Sequence, residues 1–138
     1  MMTGLDTNVL LRFLLNDDPI QSSQAKQAVD DVLRGEGAVF INRLVLSETV
    51  WVLGRGYRYG RDTILTVVES LLETDGFVVE DAGAVADAIR LCRAGGFDFP
   101  DALIGTTNAE DGCATTLTFD RKAAGLPHFA ALPLHDRA

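Results

Sequence analysis

The chain has 138 residues, enough for one domain with a sizeable core, and its 47% hydrophobic and 23% charged content is that of an ordinary soluble globular protein. The formal net charge of −8 argues against a protein that holds nucleic acid by bulk electrostatics, because contacts to phosphate need Lys and Arg. It does not exclude an enzyme that acts on nucleic acid, whose charge can be distributed unevenly.

The sequence carries no targeting or membrane signal. No apolar run approaches the roughly 18 residues that a membrane-spanning helix needs, and no signal-peptide pattern opens the chain. Cys92 and Cys113 have no nearby His and are interpreted as free, half-buried thiols rather than as a zinc site. These features predict a cytoplasmic protein with a single domain over residues 1–138.

Strand and helix signals alternate from the N-terminus. A short buried strand over residues 2–5 precedes an apolar helix over 9–15. Asp18 and Pro19 then form a strong helix start, with Asp as the N-cap and Pro in the first turn. That helix has one apolar face and ends at residues 35–37.

The middle of the chain continues the alternation. A strand over residues 38–41 precedes the mostly apolar segment 44–53, which is long for a strand and is predicted to be a buried helix. Asp62 is predicted to cap the next helix. A third strand covers residues 77–79, and Asp81 is predicted to cap the helix that follows it.

The last third predicts another helix over residues 100–111, opened by Pro100. A fourth strand, 115–118, ends just before Asp120, and residues 130–134 are a candidate fifth. Alternating strands and helices predict an α/β fold with a parallel sheet covered on both faces. In such sheets, ligands bind beyond the carboxyl ends of the strands.

Four acidic residues have mostly apolar sequence neighbours, where burial is expected. Asp6 and Asp120 follow predicted strands, Glu48 is the one charge in segment 44–53, and Asp101 follows Pro100. Acidic side chains are rarely buried unless they are paired or bound to metal, and several together raise one another's pKa. The pattern therefore predicts a carboxylate cluster around a divalent metal, suited to hydrolysis.

Each acid also has a purely structural interpretation. Asp6 can form an Asx turn, Asp101 can stabilise the first turn of its helix, and Asp120 can cap a short helix. Glu48 can border solvent. Asp98, three residues before Asp101, can be an N-cap or lie beside the same site. Four other acids fit no pattern and are interpreted as surface residues without a role: Glu80, Glu110, Asp111 and Asp136.

Oxygen ligands favour Mg²⁺ or Mn²⁺ as the ion. One ion lowers the pKa of a bound water to make the nucleophile, and a second, about 4 Å away, stabilises the leaving oxygen. Other chemistries are poorly supported. The chain has no Ser in a nucleophile elbow, no Walker-type phosphate loop and no Gly-x-Gly-x-x-Gly after the first strand.

Four segments of this chain resemble the signatures of PIN-domain ribonucleases. They are the segment 5–19, which begins Leu-Asp-Thr-Asn-Val-Leu, Leu-Ser-Glu-Thr-Val-Trp at 46–51, Asp-Phe-Pro-Asp-Ala-Leu-Ile at 98–104, and Leu-Thr-Phe-Asp at 117–120. The first is most similar to the VapC toxins of bacterial toxin–antitoxin pairs. The resemblance covers essentially the whole chain and implies a three-layer α/β/α sandwich with a central, mostly parallel sheet of four to five strands.

The resemblance also implies a Mg²⁺- or Mn²⁺-dependent endoribonuclease, usually a homodimer, that is inhibited by a cognate antitoxin. By position, the catalytic and metal-binding quartet is Asp6, Glu48, Asp101 and Asp120. Asp98 is an auxiliary acid, and three polar residues orient ligands or water: Thr7, Asn8 and Thr118. Many relatives carry Ala where this chain has Pro100, and Pro is compatible with a first helical turn.

The segment 55–61 has two interpretations. Tyr57 and Tyr59 can stack on unpaired bases while Arg55, Arg58 and Arg61 meet phosphates. Alternatively, it is a solvated loop between two helices. Trp51 is interpreted as a core or dimer-interface residue.

Two other functions are weighed against a ribonuclease. One is a non-catalytic PIN-like module that binds RNA or a partner protein, and the intact acidic quartet argues against it. The other is a receiver-type phosphoacceptor domain, which needs paired acids after the first strand and a Lys beyond its last strands. Here Asp6 is a single acid followed by Thr7, and Lys122 lies only two residues after Asp120. The sequence therefore argues against a receiver domain.

Overall fold

The computed structural model of the protein describes residues 1–134, so Asp136 lies outside the described residues. The chain forms two compact units, residues 1–82 and 83–138. Within residues 1–134, the structure contains six α-helices and five strands, and every strand pairing is parallel. The predicted α/β class and the predicted parallel pairing are therefore confirmed. The five strands form one sheet of three strands and one of two, rather than the single sheet of four to five strands that the resemblance implied.

The first unit is built on a three-stranded parallel sheet. Its strands, in the order β1-β2-β3, are β1 (Met2–Gly4), β2 (Ala38–Ile41) and β3 (Phe77–Val79). Val39 and Ile41 of the central strand are fully buried. The prediction that the first strand is buried is wrong, because β1 is an edge strand that pairs with β2 alone in this sheet and is exposed throughout.

The first unit also contains four helices: α1 (Thr7–Leu14), α2 (Pro19–Arg34), α3 (Arg43–Arg55) and α4 (Arg61–Glu73). Helix α2 contacts β2, and α4 contacts β3. Helix α1 packs against α2 and α3. The predicted start of α2 is confirmed, since the carboxylate of Asp18 accepts a hydrogen bond from the backbone N–H of Gln21 at 3.0 Å. The core of the unit includes Leu10, Leu46, Leu53, Leu65 and Val68.

The predicted cap of α4 is wrong. The N-cap is Gly60, in an extended conformation, and Asp62 lies inside the first helical turn. An acidic residue is favourable at either position, because the N-terminal end of a helix carries partial positive charge. The sequence signal therefore located the helix but misplaced its first residue.

One face of α3 exposes two large apolar side chains. Leu44 is 82% exposed and Trp51 is 60% exposed. They are seven residues apart, or two helical turns, and therefore lie on the same face. The interpretation of Trp51 as a core residue is wrong, and a role in an interface stays a prediction.

The second unit contains α5 (Ala82–Gly95), α6 (Phe99–Glu110), β4 (Thr116–Thr118) and β5 (Phe129–Ala131). The two strands pair in parallel, with Thr116 opposite Phe129. A short 3₁₀ helix, Ala123–Gly125, lies between them in the chain. The candidate fifth strand therefore exists, although it begins and ends earlier than predicted.

The predictions about thiols and membrane spans have clear outcomes. Cys92 and Cys113 are both free, as predicted, but neither is half-buried: Cys92 is buried and Cys113 is exposed. Among residues 1–134, no helix is long and apolar enough to cross a bilayer.

Glu80, to which the sequence assigned no role, holds the start of α3. Its carboxylate accepts a hydrogen bond from the backbone N–H of Arg43 at 2.8 Å and pairs with the Arg43 guanidinium at 3.3 Å. Asp81 adds a second contact to the same guanidinium, at 3.6 Å. Because α3 carries Glu48, these acids help to set the position of a candidate site residue.

Replacing Glu80 with Gln is expected to lower the free energy of unfolding by about 1 kcal/mol at neutral pH. The backbone hydrogen bond from Arg43 lowers the pKa of Glu80 below its ordinary value of 4.5. A carboxyl group with a lowered folded-state pKa stabilises the fold above its unfolded pKa, and this contribution is lost as the pH falls through the folded value. The difference between the variant and the wild type should therefore shrink in acid.

Urea denaturation at several pH values measures this effect. The control is Glu73→Gln at the exposed C-terminal end of α4, which is expected to change stability by less than about 0.5 kcal/mol. Equal stability of Glu80→Gln and wild type at neutral pH would show that Glu80 does not anchor α3.

Candidate functional site

In the first unit, Asp6 lies at the junction between β1 and α1. It follows the end of the strand by two residues and is the N-cap of the helix, where its carboxylate accepts a hydrogen bond from the backbone N–H of Val9 at 2.9 Å. The interpretation of Asp6 as an Asx-turn residue is therefore confirmed. It does not compete with a role in a site, because the capping bond uses one lone pair of one oxygen.

Glu48 joins this junction through Thr7. The hydroxyl of Thr7, a residue that is 9% exposed, donates a hydrogen bond to a carboxylate oxygen of Glu48. The bond ties the first turn of α1 to the middle of α3 and restricts the carboxylate of Glu48. Asp6, Thr7, Asn8 and Glu48 all line one cavity of about 460 Å³. The first unit thus brings together the four residues predicted in it.

The second unit brings together the other predicted acids. Asp98 is the residue before α6, and Asp101 lies in the first turn of that helix. Burial of its carboxyl group, and then the charges of Asp98 and Asp120, raise the pKa of Asp101 above its ordinary value of 3.8. The charges of Asp98 and Asp120 therefore act on the carboxyl group of Asp101.

Asp120 lies two residues beyond the end of β4. Its carboxylate accepts hydrogen bonds from the backbone N–H groups of Lys122 at 2.8 Å and Ala123 at 3.2 Å, and so caps the 3₁₀ turn. Its own N–H donates to the hydroxyl of Thr118 at 3.0 Å. Thr118 therefore fixes the backbone of Asp120, and its role in orienting ligands or water stays a prediction.

The burial expected from apolar sequence neighbours is wrong for three of the four main acids. Asp6, Glu48 and Asp120 are exposed, and Asp101 alone is half-buried. Side chains that are adjacent in sequence point in different directions, so a cap or a helix residue can face solvent while its neighbours face the core. Apolar neighbours in sequence therefore did not indicate burial at these positions.

The predicted site residues of the first unit, and those of the second, both have donor atoms that suit a hard divalent cation. The side-chain donors are carboxylate, hydroxyl and amide oxygens, which Mg²⁺ and Mn²⁺ prefer. A cation would also offset the burial and the repulsion that raise the pKa of Asp101. Within residues 1–134, no three His, Cys, Asp or Glu side chains lie close enough together to hold a metal ion.

The segment between α3 and α4 forms a loop, as one of its two interpretations predicted. Arg55 ends α3 and Arg61 begins α4. The rings of Tyr57 and Tyr59 stack with centroids 6.1 Å apart, and Arg58 between them has a φ of 59°. Tyr59 and the three arginines are exposed, whereas Tyr57 is half-buried.

Tyr57 is also tied to the start of α2. Its hydroxyl donates a hydrogen bond to the carboxylate of Asp17, which lowers the pKa of Asp17 and raises that of Tyr57. Tyr57 lines the same cavity as Asp6 and Glu48. The loop therefore has one aromatic side chain beside the acids of the first unit.

Arg12 lines this cavity too, and sequence reasoning missed it. Its spacing from Asn8 offered a signal, because residues four apart on a helix share a face. Arg12 stands in the last turn of α1, so the helix that begins with Asp6 carries a cation near its other end.

Comparison with known proteins identifies the family. A family model described as the PIN domain matches residues 4–128 of this chain. A protein named VapC ribonuclease, from Aquifex aeolicus (strain VF5), is 29% identical to it over 121 residues, which cover 88% of this chain and 89% of that protein. The match to the family model runs through all four segments that carry the predicted acids. The chain therefore belongs to the PIN domain family, as its four motifs predicted.

Proposed function

We propose that this protein is a metal-dependent endoribonuclease and the toxin of a toxin–antitoxin pair. The observation that carries the proposal is the PIN-domain match over residues 4–128 with all four acidic positions occupied by Asp or Glu. The similarity to a VapC ribonuclease supports the same activity. Because the match extends through both compact units, it also supports one PIN domain over residues 1–138.

PIN-domain nucleases generally depend on divalent metal ions. In this chain, the proposed metal-binding and catalytic residues are Asp6, Glu48, Asp101 and Asp120, with Asp98 as an auxiliary acid. When bound, a Mg²⁺ or Mn²⁺ ion supplies an activated water and neutralises charge on the phosphodiester. Thr7 holds the Glu48 carboxylate in one orientation, and Thr118 does the same for the backbone of Asp120.

Replacing Thr7 with Val tests this orienting role. The variant keeps the shape of the side chain but leaves Glu48 without its hydroxyl donor, so we expect cleavage to fall about 10- to 100-fold. Thr7→Ser keeps the hydroxyl and should retain most of the activity. Cleavage rates measured over a range of metal concentrations separate weaker metal binding from a slower reaction.

The matched control is Thr74→Val, which removes a hydroxyl that donates to the carbonyl of Ser70 at the end of α4. It is expected to cleave RNA like the wild type. A Thr7→Val protein with wild-type rates and metal dependence would show that the bond to Glu48 has no part in the reaction.

The loop residues Arg55, Tyr57, Arg58, Tyr59 and Arg61 are proposed to contact RNA. Exposed guanidinium groups beside stacked aromatic rings suit the phosphates and bases of a single strand. They also supply local positive charge in a chain whose net charge is −8. Because the hydroxyl of Tyr57 is engaged by Asp17, only its ring face is proposed to meet a base.

Two protein partners are proposed, a second copy of the chain and a cognate antitoxin. The exposed Leu44 and Trp51 on one face of α3 suit a protein interface, where aromatic residues are enriched. We propose the homodimer as the occupant of this face. The cytoplasm is the proposed location, since the RNA substrate lies there and both cysteines are free thiols.

The first experiment is cleavage of total cellular RNA by the purified protein with Mg²⁺, with Mn²⁺ and with EDTA. Metal-dependent cleavage is expected, and the fragment ends identify the target RNA. If neither metal supports cleavage and calorimetry detects no metal uptake, the protein is instead a non-catalytic module that binds RNA or a partner.

A further inference from the structure

Two cavities flank the exposed face of α1, and Arg12 contributes to both. The first contains Asp6, Glu48 and Tyr57, and the second, of about 330 Å³, contains Asp6 together with Gln21 and Gln24 of α2. Among the described residues that line these two cavities, Arg12 alone has a basic side chain. Of the basic side chains in the described residues, Arg12 is therefore the one that lines these cavities together with Asp6 and Glu48.

The Arg12 side chain is held in place by polar neighbours. Its Nε donates to the side-chain oxygen of Gln21 at 2.8 Å, and its Nη1 lies 3.3 Å from a carboxylate oxygen of Asp17. The side chains of Arg12 and Asp17 are 27% and 40% exposed, so solvent screens their attraction. Ion pairs of this kind contribute about 0–1 kcal/mol.

We propose that Arg12 binds a phosphate of single-stranded RNA next to the phosphodiester that is cleaved, an inference that rests on the ribonuclease function proposed above. Arg12 lies six positions after Asp6, a rise of about 9 Å along the helix axis. The guanidinium therefore serves a different phosphate from the one at the acids. It sets where along the strand cleavage occurs.

The contacts around Arg12 favour the transfer of its guanidinium from Asp17 to a phosphate of RNA. Arginine binds phosphate through two parallel hydrogen bonds, which are stronger than a screened surface pair. Asp17 keeps a partner when Arg12 turns to RNA, because the Tyr57 hydroxyl already donates to it. Gln21 holds Nε, so the side chain is partly ordered before RNA arrives.

The test measures RNA binding without catalysis. A fluorescein-labelled oligouridylate is titrated with protein in EDTA at several salt concentrations, and anisotropy gives the affinity. Replacing Arg12 with Gln is expected to weaken binding about ten-fold and to lower the salt slope by about 0.7, the value for one phosphate contact on a single strand. Arg12→Lys should restore much of the slope.

Asp17→Asn is the matched control, because it breaks the same ion pair while keeping the cation. It is expected to bind the oligouridylate at least as tightly as the wild type, with an unchanged slope. In steady-state cleavage with metal, Arg12→Gln should raise KM about ten-fold and change kcat less than about three-fold. In urea denaturation, both variants lose the weak ion pair and Arg12→Gln also loses the bond from Nε to Gln21, so its stability should be equal to or below that of Asp17→Asn.

Three results would overturn the inference. The first is an unchanged salt slope in Arg12→Gln. The second is an equal loss of RNA affinity in Arg12→Gln and Asp17→Asn. The third is that the wild type shows no salt-dependent binding of oligouridylate. The second would assign Arg12 a structural role only. Metal-dependent cleavage of total RNA by the same wild-type preparation shows separately whether the ribonuclease function holds.

Discussion

Replacement of Asp6 with Asn is expected to reduce RNA cleavage by at least about 100-fold, while the stability of the protein stays within about 0.5 kcal/mol of the wild type. Asn has nearly the same shape as Asp and is an equally good N-cap, so it can still accept the hydrogen bond from the N–H of Val9. It lacks the negative charge that a metal ligand in this site needs. The measurements are cleavage of total RNA with Mg²⁺ or Mn²⁺, and urea denaturation.

The chain offers a matched control for this substitution. Asp18 is the N-cap of α2 and accepts a hydrogen bond from the N–H of Gln21 at 3.0 Å, as Asp6 does in α1. Asp18→Asn makes the same chemical change outside the proposed site and should leave cleavage unchanged. Asp6→Ala should lose about 1 kcal/mol of stability in addition to activity, because it removes the cap.

Replacement of Asp101 with Asn is also expected to abolish cleavage, and here the stability of the metal-free protein should stay the same or rise. Burial and the charges of Asp98 and Asp120 raise the pKa of Asp101 in the folded protein. A carboxyl group with a raised folded-state pKa destabilises the fold increasingly as the pH rises through that value. Asn carries no charge at any pH, so the variant avoids this penalty at neutral pH and loses the advantage in acid.

Urea denaturation in EDTA, at neutral pH and at about pH 4, measures this dependence. Asp62→Asn is the control, since Asp62 occupies the first turn of α4 as Asp101 occupies the first turn of α6. Loss of a first-turn charge alone lowers stability by about 0.3–1 kcal/mol, which is the result expected for Asp62→Asn. If Asp101→Asn behaves in the same way, repulsion among the three acids is not significant.

The two cleavage results together test the assignment of the site. Wild-type cleavage by either Asp6→Asn or Asp101→Asn would remove that residue from the quartet. Retained cleavage by both, in a protein that still requires metal, would place the metal elsewhere in the chain.

The starts of several elements could be predicted from the sequence because the interactions that set them are local. Asp18 and Pro19 predicted the start of α2, and residues 77–79 predicted β3 with both of its ends. A cap forms hydrogen bonds with groups within three residues of itself, so a short segment of sequence is enough to predict it. The acids at Asp6 and Asp120 were placed correctly beyond β1 and β4 for the same reason.

The sequence by itself also determined the family, since four motifs in the right order are enough to assign the PIN domain without the structure. Only the tertiary structure decided which side chains meet. The hydrogen bond from the Thr7 hydroxyl to Glu48 joins residues 41 positions apart, and the bond from the Arg43 N–H to Glu80 joins residues 37 apart. Such pairings depend on how helices pack against strands, and residue type or spacing does not encode them. The exposure of Glu48 and Trp51 and the place of Arg12 beside the acids were decided in the same way, because each depends on which face of a helix the rest of the fold covers.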